Sequence, residues 1–351
     1  MRQIKIGASN IGENCPAYVI AEAGVNHNGD VELALDLVDA AKEIGADCVK
    51  FQTFKASSVI TKTAPKANYQ LKVTNPDESQ FKMLEKLELN HKEYQRIIER
   101  CNEVGIQFLS TPYNMVDAEF LNEFNVDAYK IASGQLVEYS FLKDVAGLGK
   151  PLIISTGMAN LSEIYTAVEA VKSTGNNDFV ILQCTTNYPS RLEDSNIRTI
   201  PALRSSLDEL IGYSDHVANN YACYAAVALG ACVIEKHFTL DVNMAGPDHS
   251  SSLDPESFAE LIRGIRAIEA SLGSSVKKPS AIETENSIGM RRSIVANRTI
   301  KKGETFDKSM LTFKRPATGL KPGMLEEIIG KKAGCDLAED TILQMEMIDW
   351  S

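Results

Sequence analysis

The chain of 351 residues has no apolar run near the roughly 18 residues needed to span a bilayer. Its start, Met1-Arg2-Gln3-Ile4-Lys5-Ile6, lacks the apolar stretch of a signal peptide. No C-x-x-C pair occurs, and the seven cysteines are scattered and odd in number. That argues against a disulfide framework and fits reduced thiols in a cytoplasm. Positive charge is in deficit: the formal net charge is −11. Nucleic acid and anionic membranes are therefore poor partners, although a local pocket field can still hold an anion. There is no G-x-G-x-x-G after the first strand-like run, so a dinucleotide-binding sheet is disfavoured.

Alternation is what the chain does have. Strand-length apolar runs lie at 17–22, 48–52, 107–110, 128–132, 151–155, 179–183, 210–213 and 231–235. Helical periodicity follows most of them, at 31–44, 94–104, 116–124, 140–147, 162–173, 220–229 and 255–272. Strands apolar on both faces and separated by helices indicate a parallel sheet. Eight such units predict an α/β fold of the (β/α)8 TIM-barrel type over residues 1–272. A polar stretch, 273–287, reads as a linker. Residues 288–351 then read as a small, irregular, mostly β domain.

A barrel carries its site at the carboxyl ends of its strands. All eight ends here are polar. In order they offer Glu22, Asn26 and His27; Lys50 and Gln52; Ser110 and Thr111; Lys130, Ser133 and Gln135; Ser155 and Thr156; Gln183, Thr185, Thr186 and Tyr188; Ser214, Asp215 and His216; Glu235, Lys236, His237, Asp248 and His249. A structural barrel has no need of that. His216 and His237 stand 21 positions apart, each just after a short apolar run. Equivalent ends of neighbouring parallel strands lie side by side, so both imidazoles should face one site and could hold a divalent metal with open positions. A lone histidine such as His91 or His249 is more often structural. Lysines with hydroxyls suit a phosphate or carboxylate. Clustered lysines, Lys236 included, would repel one another without an anion. Cys48, Cys184, Cys223 and Cys232 lie in apolar runs and read as structural. On residues alone, a metal-dependent hydrolase or a non-catalytic sugar-binding protein remains open.

Several segments resemble the sialic acid synthase family. They include Ile20-Ala21-Glu22-Ala23-Gly24-Val25-Asn26-His27-Asn28-Gly29, Val49-Lys50-Phe51-Gln52-Thr53-Phe54, Leu109-Ser110-Thr111-Pro112-Tyr113 and Ile154-Ser155-Thr156-Gly157-Met158. Tyr213-Ser214-Asp215-His216, Ile234-Glu235-Lys236-His237-Phe238-Thr239-Leu240 and Ala245-Gly246-Pro247-Asp248-His249 continue in the family's order. The tail, with Lys301-Lys302-Gly303-Glu304 and Lys314-Arg315-Pro316, is similar to the family's antifreeze-like (SAF) domain.

The resemblance implies condensation of phosphoenolpyruvate with N-acetylmannosamine or a related N-acylated six-carbon amino sugar. The products would be a nine-carbon 2-keto acid and phosphate. It implies a divalent metal, typically Mn2+ with Mg2+ or Co2+ as alternatives, on His216 and His237. Lys50, Thr111, Lys130, Ser133, Ser155, Thr186 and Ser214 match positions around phosphoenolpyruvate. Glu22 matches a carboxylate assigned to the sugar hydroxyls or to proton transfer. Gln52, Tyr188 and Asp248 match sugar-side positions. Arg315 matches an arginine that reaches over the barrel of a second copy, which implies a domain-swapped homodimer. One departure stands out: after Ser133-Gly134 the family usually has an acidic residue, and here it is Gln135. The loop Ala64-Pro65-Lys66-Ala67-Asn68-Tyr69-Gln70 with Asp77-Glu78-Ser79-Gln80 resembles bacterial synthases of N-acetylneuraminate or N,N'-diacetyllegionaminate, whose sugars are unphosphorylated.

Overall fold

In the computed structural model, residues 2–66, 71, 74 and 78–351 are described. Of the loop 64–70 with 77–80, residues 67–70 and 77 lie outside them. The chain divides into two compact units, Met1–Gly273 and Ser274–Ser351.

The first unit is an eight-stranded parallel barrel. Its strands are β3 (Tyr18–Gly24), β4 (Cys48–Thr53), β5 (Gln107–Pro112), β6 (Tyr129–Ile131), β7 (Leu152–Ser155), β8 (Phe179–Cys184), β9 (Leu210–Asp215) and β10 (Val233–His237). Neighbouring strands are hydrogen-bonded in the order β5-β4-β3-β10-β9-β8-β7-β6, and β5 lies beside β6 to close the ring. The apolar runs supply both faces. Val19, Val49, Ile131, Ile154, Ile181 and Ile234 pack outward under the helices. Ile20, Leu109, Ile153, Val180, Leu182 and Val233 fill the interior.

Several elements are absent from the sequence reading. A hairpin of β1 (Gln3–Ile6) and β2 (Ser9–Gly12) precedes the barrel. It adds Ile4, Ile6 and Ile11 to the interior cluster, sealing that core with three more apolar side chains. The helix Thr199–Leu207 fills the crossover between β8 and β9. Its Pro201 sits in the first turn, where no intrahelical N–H partner is lost.

Several of the helices that follow the other strands start on side-chain caps. Asp30 caps Val31–Glu43, and Asn90 caps His91–Val104 with a reciprocal bond from Glu93. Asn160 and Glu163 do the same for Leu161–Lys172. These caps fix where the capped crossovers leave their strands, and so where those strand ends are exposed.

The second unit is small and mostly β. Antiparallel pairs β11 (Ser293–Ala296) with β12 (Leu311–Lys314) and β13 (Lys332–Ala333) with β14 (Ile348–Asp349) surround a core of Ile294, Ile300, Phe306, Ile328, Leu337 and Leu343. The stretch read as a linker carries the helix Ala281–Met290. Ser280 and Glu283 form its capping box, a local signal that the polar composition obscured.

Candidate active site

At the carboxyl ends of the strands opens a cavity of about 670 Å³. Fifteen of the chemistry-bearing positions expected from the sequence, from Glu22 to Asp248, include fourteen assigned roles there, and the structure gathers those fourteen around this one space: Glu22, Lys50, Gln52, Thr111, Lys130, Ser133, Gln135, Ser155, Thr186, Tyr188, Ser214, His216, His237 and Asp248, with Glu235 as the fifteenth. Arg315 belongs to the second unit, directly after β12.

The histidine pairing follows from register. Glu235 faces Ser214 and Lys236 faces Asp215 across the β9–β10 ladder, so His237 and His216 are next in line. Their ring centroids are 5.4 Å apart. Tyr188 packs over both, at 4.1 Å from His216 and 5.6 Å from His237. His216 Nδ1 donates to the Thr185 carbonyl at 2.7 Å, which leaves Nε2 as the ring's other nitrogen for a ligand. His237 Nδ1 is buried and has no hydrogen-bond partner among the described residues. Burial, then the positive charges of His216, Lys50, Lys236 and Lys130, hold the His237 imidazole far below its usual range, hence neutral. A neutral buried imidazole with an orphaned nitrogen beside a second imidazole fits a divalent cation. No cluster of three or more His, Cys, Asp or Glu suited to a metal occurs among the described residues. The remaining positions of a cation here would fall to water or substrate oxygens.

The floor of the cavity is a charge network. Lys50 Nζ pairs with Glu22 Oε2 at 2.7 Å, donates to Thr111 Oγ1 at 3.3 Å and lies 3.8 Å from Glu235. Lys130 Nζ donates to Ser155 Oγ at 2.7 Å and lies 3.6 Å from Glu235. Ser214 Oγ donates to Glu235 at 3.0 Å, and Gln52 Nε2 to Glu22 at 3.0 Å. Burial drives Lys130 below the usual lysine range. Burial also lowers Lys50, but the charges of Glu22 and Glu235 outweigh it and leave Lys50 raised. Glu22 is raised, chiefly by burial. For Glu235 burial is overcome by Lys130 and Lys50, and its carboxyl lies below the usual range. Two lysines and two carboxylates thus balance one another.

Strand alternation decides which side chains take part. Glu235 and His237 point to the cavity, so Lys236 between them points out. It is 1% exposed and donates to Asp215, to the Val217 carbonyl and to the Asn219 carbonyl. The expected repulsion among three lysines is therefore reduced to that between Lys50 and Lys130, which the facing carboxylates offset: Lys236 is on the other side of the sheet. By the same alternation Gln183 and Thr185 turn away, to the Ser195 and Asp194 carbonyls. Cys184 turns in. It accepts from Ser133 Oγ at 3.6 Å and lines the cavity, so reading it as purely structural is corrected. Burial raises its thiol, but His216 and Ser133 pull it below the usual value; the same contact outweighs burial on His216 and raises it.

Gln135 is spent on the backbone: its Nε2 donates to the Pro112 carbonyl at 3.0 Å, and its Oε1 accepts from Ala132 N–H at 3.1 Å. Asp248 is buried, which pushes its pKa up to about 6. Gly157 is required by close approach. A Cβ there would stand 2.2 Å from Thr186 Oγ1 and 2.8 Å from Ser133 Oγ, and its N–H donates to Ser133 Oγ at 2.9 Å. The residues not assigned from the sequence include Glu235, Cys184, Glu138 and an apolar wall of Val25, Phe54, Val59, Met83, Leu84 and Tyr113. Glu235 was visible as a polar strand end; the wall gathers from loops with no pattern of their own.

Residues 37–277 match the model of the NeuB family, and residues 291–349 match the SAF domain. The chain is 45% identical over 328 residues to the N,N'-diacetyllegionaminic acid synthase of Campylobacter jejuni, covering 93% of this chain and 98% of that protein. It is 35% identical to the human N-acetylneuraminate-9-phosphate synthase, covering 97% of this chain and 94% of the relative. The crystal structure of the N-acetylneuraminic acid synthetase of Leptospira borgpetersenii superposes with a TM-score of 0.74 at 33% identity, covering 81% of this chain and 95% of that one.

Proposed function

The chain belongs to the NeuB family, and we infer that its barrel condenses phosphoenolpyruvate with a neutral, N-acylated six-carbon amino sugar to give a nine-carbon 2-keto acid and phosphate. The observation that carries this reading is the floor where Lys50, Lys130, Thr111, Ser155 and Ser214 lie beside two cavity-facing histidines. Lysines and hydroxyls suit the phosphate and carboxylate of phosphoenolpyruvate.

The chemistry needs three things from the protein. It must hold the enol phosphate so that its methylene carbon faces the aldehyde. It must add water to C2 as the new carbon–carbon bond forms, and it must release phosphate by breaking the C2–O bond. Lys130 with Ser155 and Lys50 with Thr111 provide the anchoring donors. Glu22, raised by burial and held by Lys50 and Gln52, is placed to exchange a proton with the incoming water or the nascent sugar hydroxyl. Glu235 keeps both lysines charged. The lysines and carboxylates of the floor balance one another, so an incoming polyanion lacks a counter-charge. A divalent cation such as Mn2+ on His216 and His237 would supply it and would polarise the aldehyde oxygen.

Among the sugars, 2,4-diacetamido-2,4,6-trideoxymannose is favoured over N-acetylmannosamine. The apolar wall of Phe54, Met83, Leu84 and Tyr113 suits a deoxygenated carbon and acetamido methyls. The relative from C. jejuni, named a diacetyllegionaminic acid synthase, points the same way. We also propose a homodimer in which Arg315 of one copy reaches the cavity of the other. The second unit exposes the apolar side chains of Ile282, Ile288 and Met290 on the helix Ala281–Met290, surface that such packing would cover. The reduced-thiol composition and the absence of any helix long and apolar enough to cross a membrane, among the described residues, agree with a cytoplasmic setting.

The deciding assay is phosphate release with a panel of amino sugars. Release should require both phosphoenolpyruvate and an N-acylated mannosamine. Release from phosphoenolpyruvate alone would point to a hydrolase instead.

A further inference from the structure

Among the described residues, four carboxylates line the cavity: Glu22, Glu138, Glu235 and Asp248. Glu22 and Glu235 are committed to the lysines and hydroxyls of the floor. Asp248 is buried. Glu138 is of another kind. It stands just before the helix Tyr139–Gly147, yet its side chain caps none of that helix's N–H groups. Its backbone N–H is bonded to the Gln135 carbonyl at 2.9 Å, which fixes its place on the wall. Among the described residues no side chain or backbone group bonds its carboxylate. Burial alone acts on its pKa, upward, with no cation to oppose it.

Its neighbour settles what this wall can present. Gln135, three residues earlier, turns both ends of its amide to the backbone at Pro112 and Ala132. Ser133 on the same loop is engaged with Cys184 and Gly157, which leaves Glu138 as this loop's polar side chain without a partner among the described residues. Lys50 and Lys130, the cationic side chains that line the cavity among the described residues, are both at the floor and both engaged with carboxylates. Among the described residues, the outer part of the cavity therefore holds an unpaired acceptor, an apolar wall and no counter-charge for an anion.

We propose that Glu138 is a specificity-determining residue of the sugar subsite: it accepts a hydrogen bond from a hydroxyl or amide N–H of a neutral amino sugar and disfavours a phosphorylated one. This rests on the synthase reading above and goes beyond it. An ionised carboxylate is acceptor-only, so it needs a donor, and sugar hydroxyls and acetamido groups supply donors. A phosphate supplies acceptors and a charge of about −1.5 to −2. At a separation of about 6 Å in a water-like medium, that repulsion corresponds to roughly tenfold in affinity.

The test uses the full-length protein with Mn2+, measuring phosphate release from phosphoenolpyruvate. Three forms are compared: wild type, Glu138→Gln and Glu138→Lys. With 2,4-diacetamido-2,4,6-trideoxymannose, Glu138→Gln is expected to raise the sugar KM at least about fivefold while the phosphoenolpyruvate KM moves less than about twofold. N-acetylmannosamine 6-phosphate is titrated as a competitor against the neutral sugar. Its inhibition constant is expected to fall at least about tenfold in Glu138→Lys, which a merely structural residue would not produce. A sugar KM within twofold of wild type, both KM values moving together, or an unchanged inhibition constant would overturn the proposal. Wild-type protein that releases no phosphate with any amino sugar would overturn the synthase reading itself, and is distinguishable because it appears before any variant is compared.

Discussion

Replacing Lys236 by methionine tests how the two histidine-bearing strand ends are held together. Lys236 Nζ donates to the Asp215 carboxylate and to the carbonyls of Val217 and Asn219, all on the β9 end or the turn after it. Lys236 precedes His237, and Asp215 precedes His216. The side chain is fully enclosed, so methionine keeps most of the volume while removing the charge. Asp215 would retain three donors: Tyr213 OH at 2.8 Å, Val217 N–H at 3.0 Å and Cys223 Sγ at 3.1 Å. Breaking one side of a buried pair costs about 3–5 kcal/mol, and these remaining donors place the loss at about 3 to 4. For a unit of this size that corresponds to a fall in Tm of about 6–16 °C. Far-UV circular dichroism or calorimetry is the readout, because the single tryptophan, Trp350, lies in the second unit and does not report on the barrel. The double variant Asp215→Asn with Lys236→Met should lose at least about 2 kcal/mol less than the sum of the single variants. Mn2+ affinity, measured by calorimetry, should fall about 10- to 100-fold as the imidazoles lose their common brace. A loss of stability under about 1 kcal/mol, or strict additivity, would refute this account of the site's rigidity.

His216→Asn and His237→Asn should each weaken Mn2+ binding by at least about 100-fold, read by titration calorimetry in the absence of substrate. His27 is 1% exposed and burial lowers its pKa to about 4 from 6.5, so it is neutral in the fold. Its stabilisation is present above pH 6.5 and is lost as pH falls from 6.5 to about 4, a change of about 3 kcal/mol; His27→Asn, which keeps an acceptor for Gly29 N–H, should flatten urea-unfolding stability across that window. Glu235→Gln removes the negative charge that holds Lys130 and Lys50 protonated, so the alkaline limb of kcat/KM for phosphoenolpyruvate should move to lower pH; an unmoved limb would mean that neither lysine carries the pH dependence.

Much of the barrel could be read in advance because its strands are buried on both faces, and burial on both faces leaves a continuous apolar run in the sequence. The second-unit strands were harder to read. Pairs as short as Lys332–Ala333 carry too few residues to show a pattern. The helix Thr199–Leu207 was hidden by Pro201, and Ala281–Met290 by its polarity, since it buries no residue within the described chain. Of the candidate site, the strand-end residues were legible. The loop residues that form the apolar wall and Glu138 were not, because loops bring them together without any local period.

By itself the sequence determined that eight strand ends would be polar, that two histidines would stand one βα unit apart, and that lysines and hydroxyls would gather beside them. Covalent order and burial fix those facts. Only the tertiary structure decided which neighbour each charge faces. A strand's alternation sends Glu235 and His237 one way and Lys236 the other, and it turns Cys184 toward His216 and Thr185 away. Gln135 occupies a position where the sequence promised a sugar contact, yet two backbone groups claim its amide and leave Glu138 to face the cavity. Such choices depend on the side chains and backbone groups brought within about 3 Å by folding, which no local stretch of sequence contains.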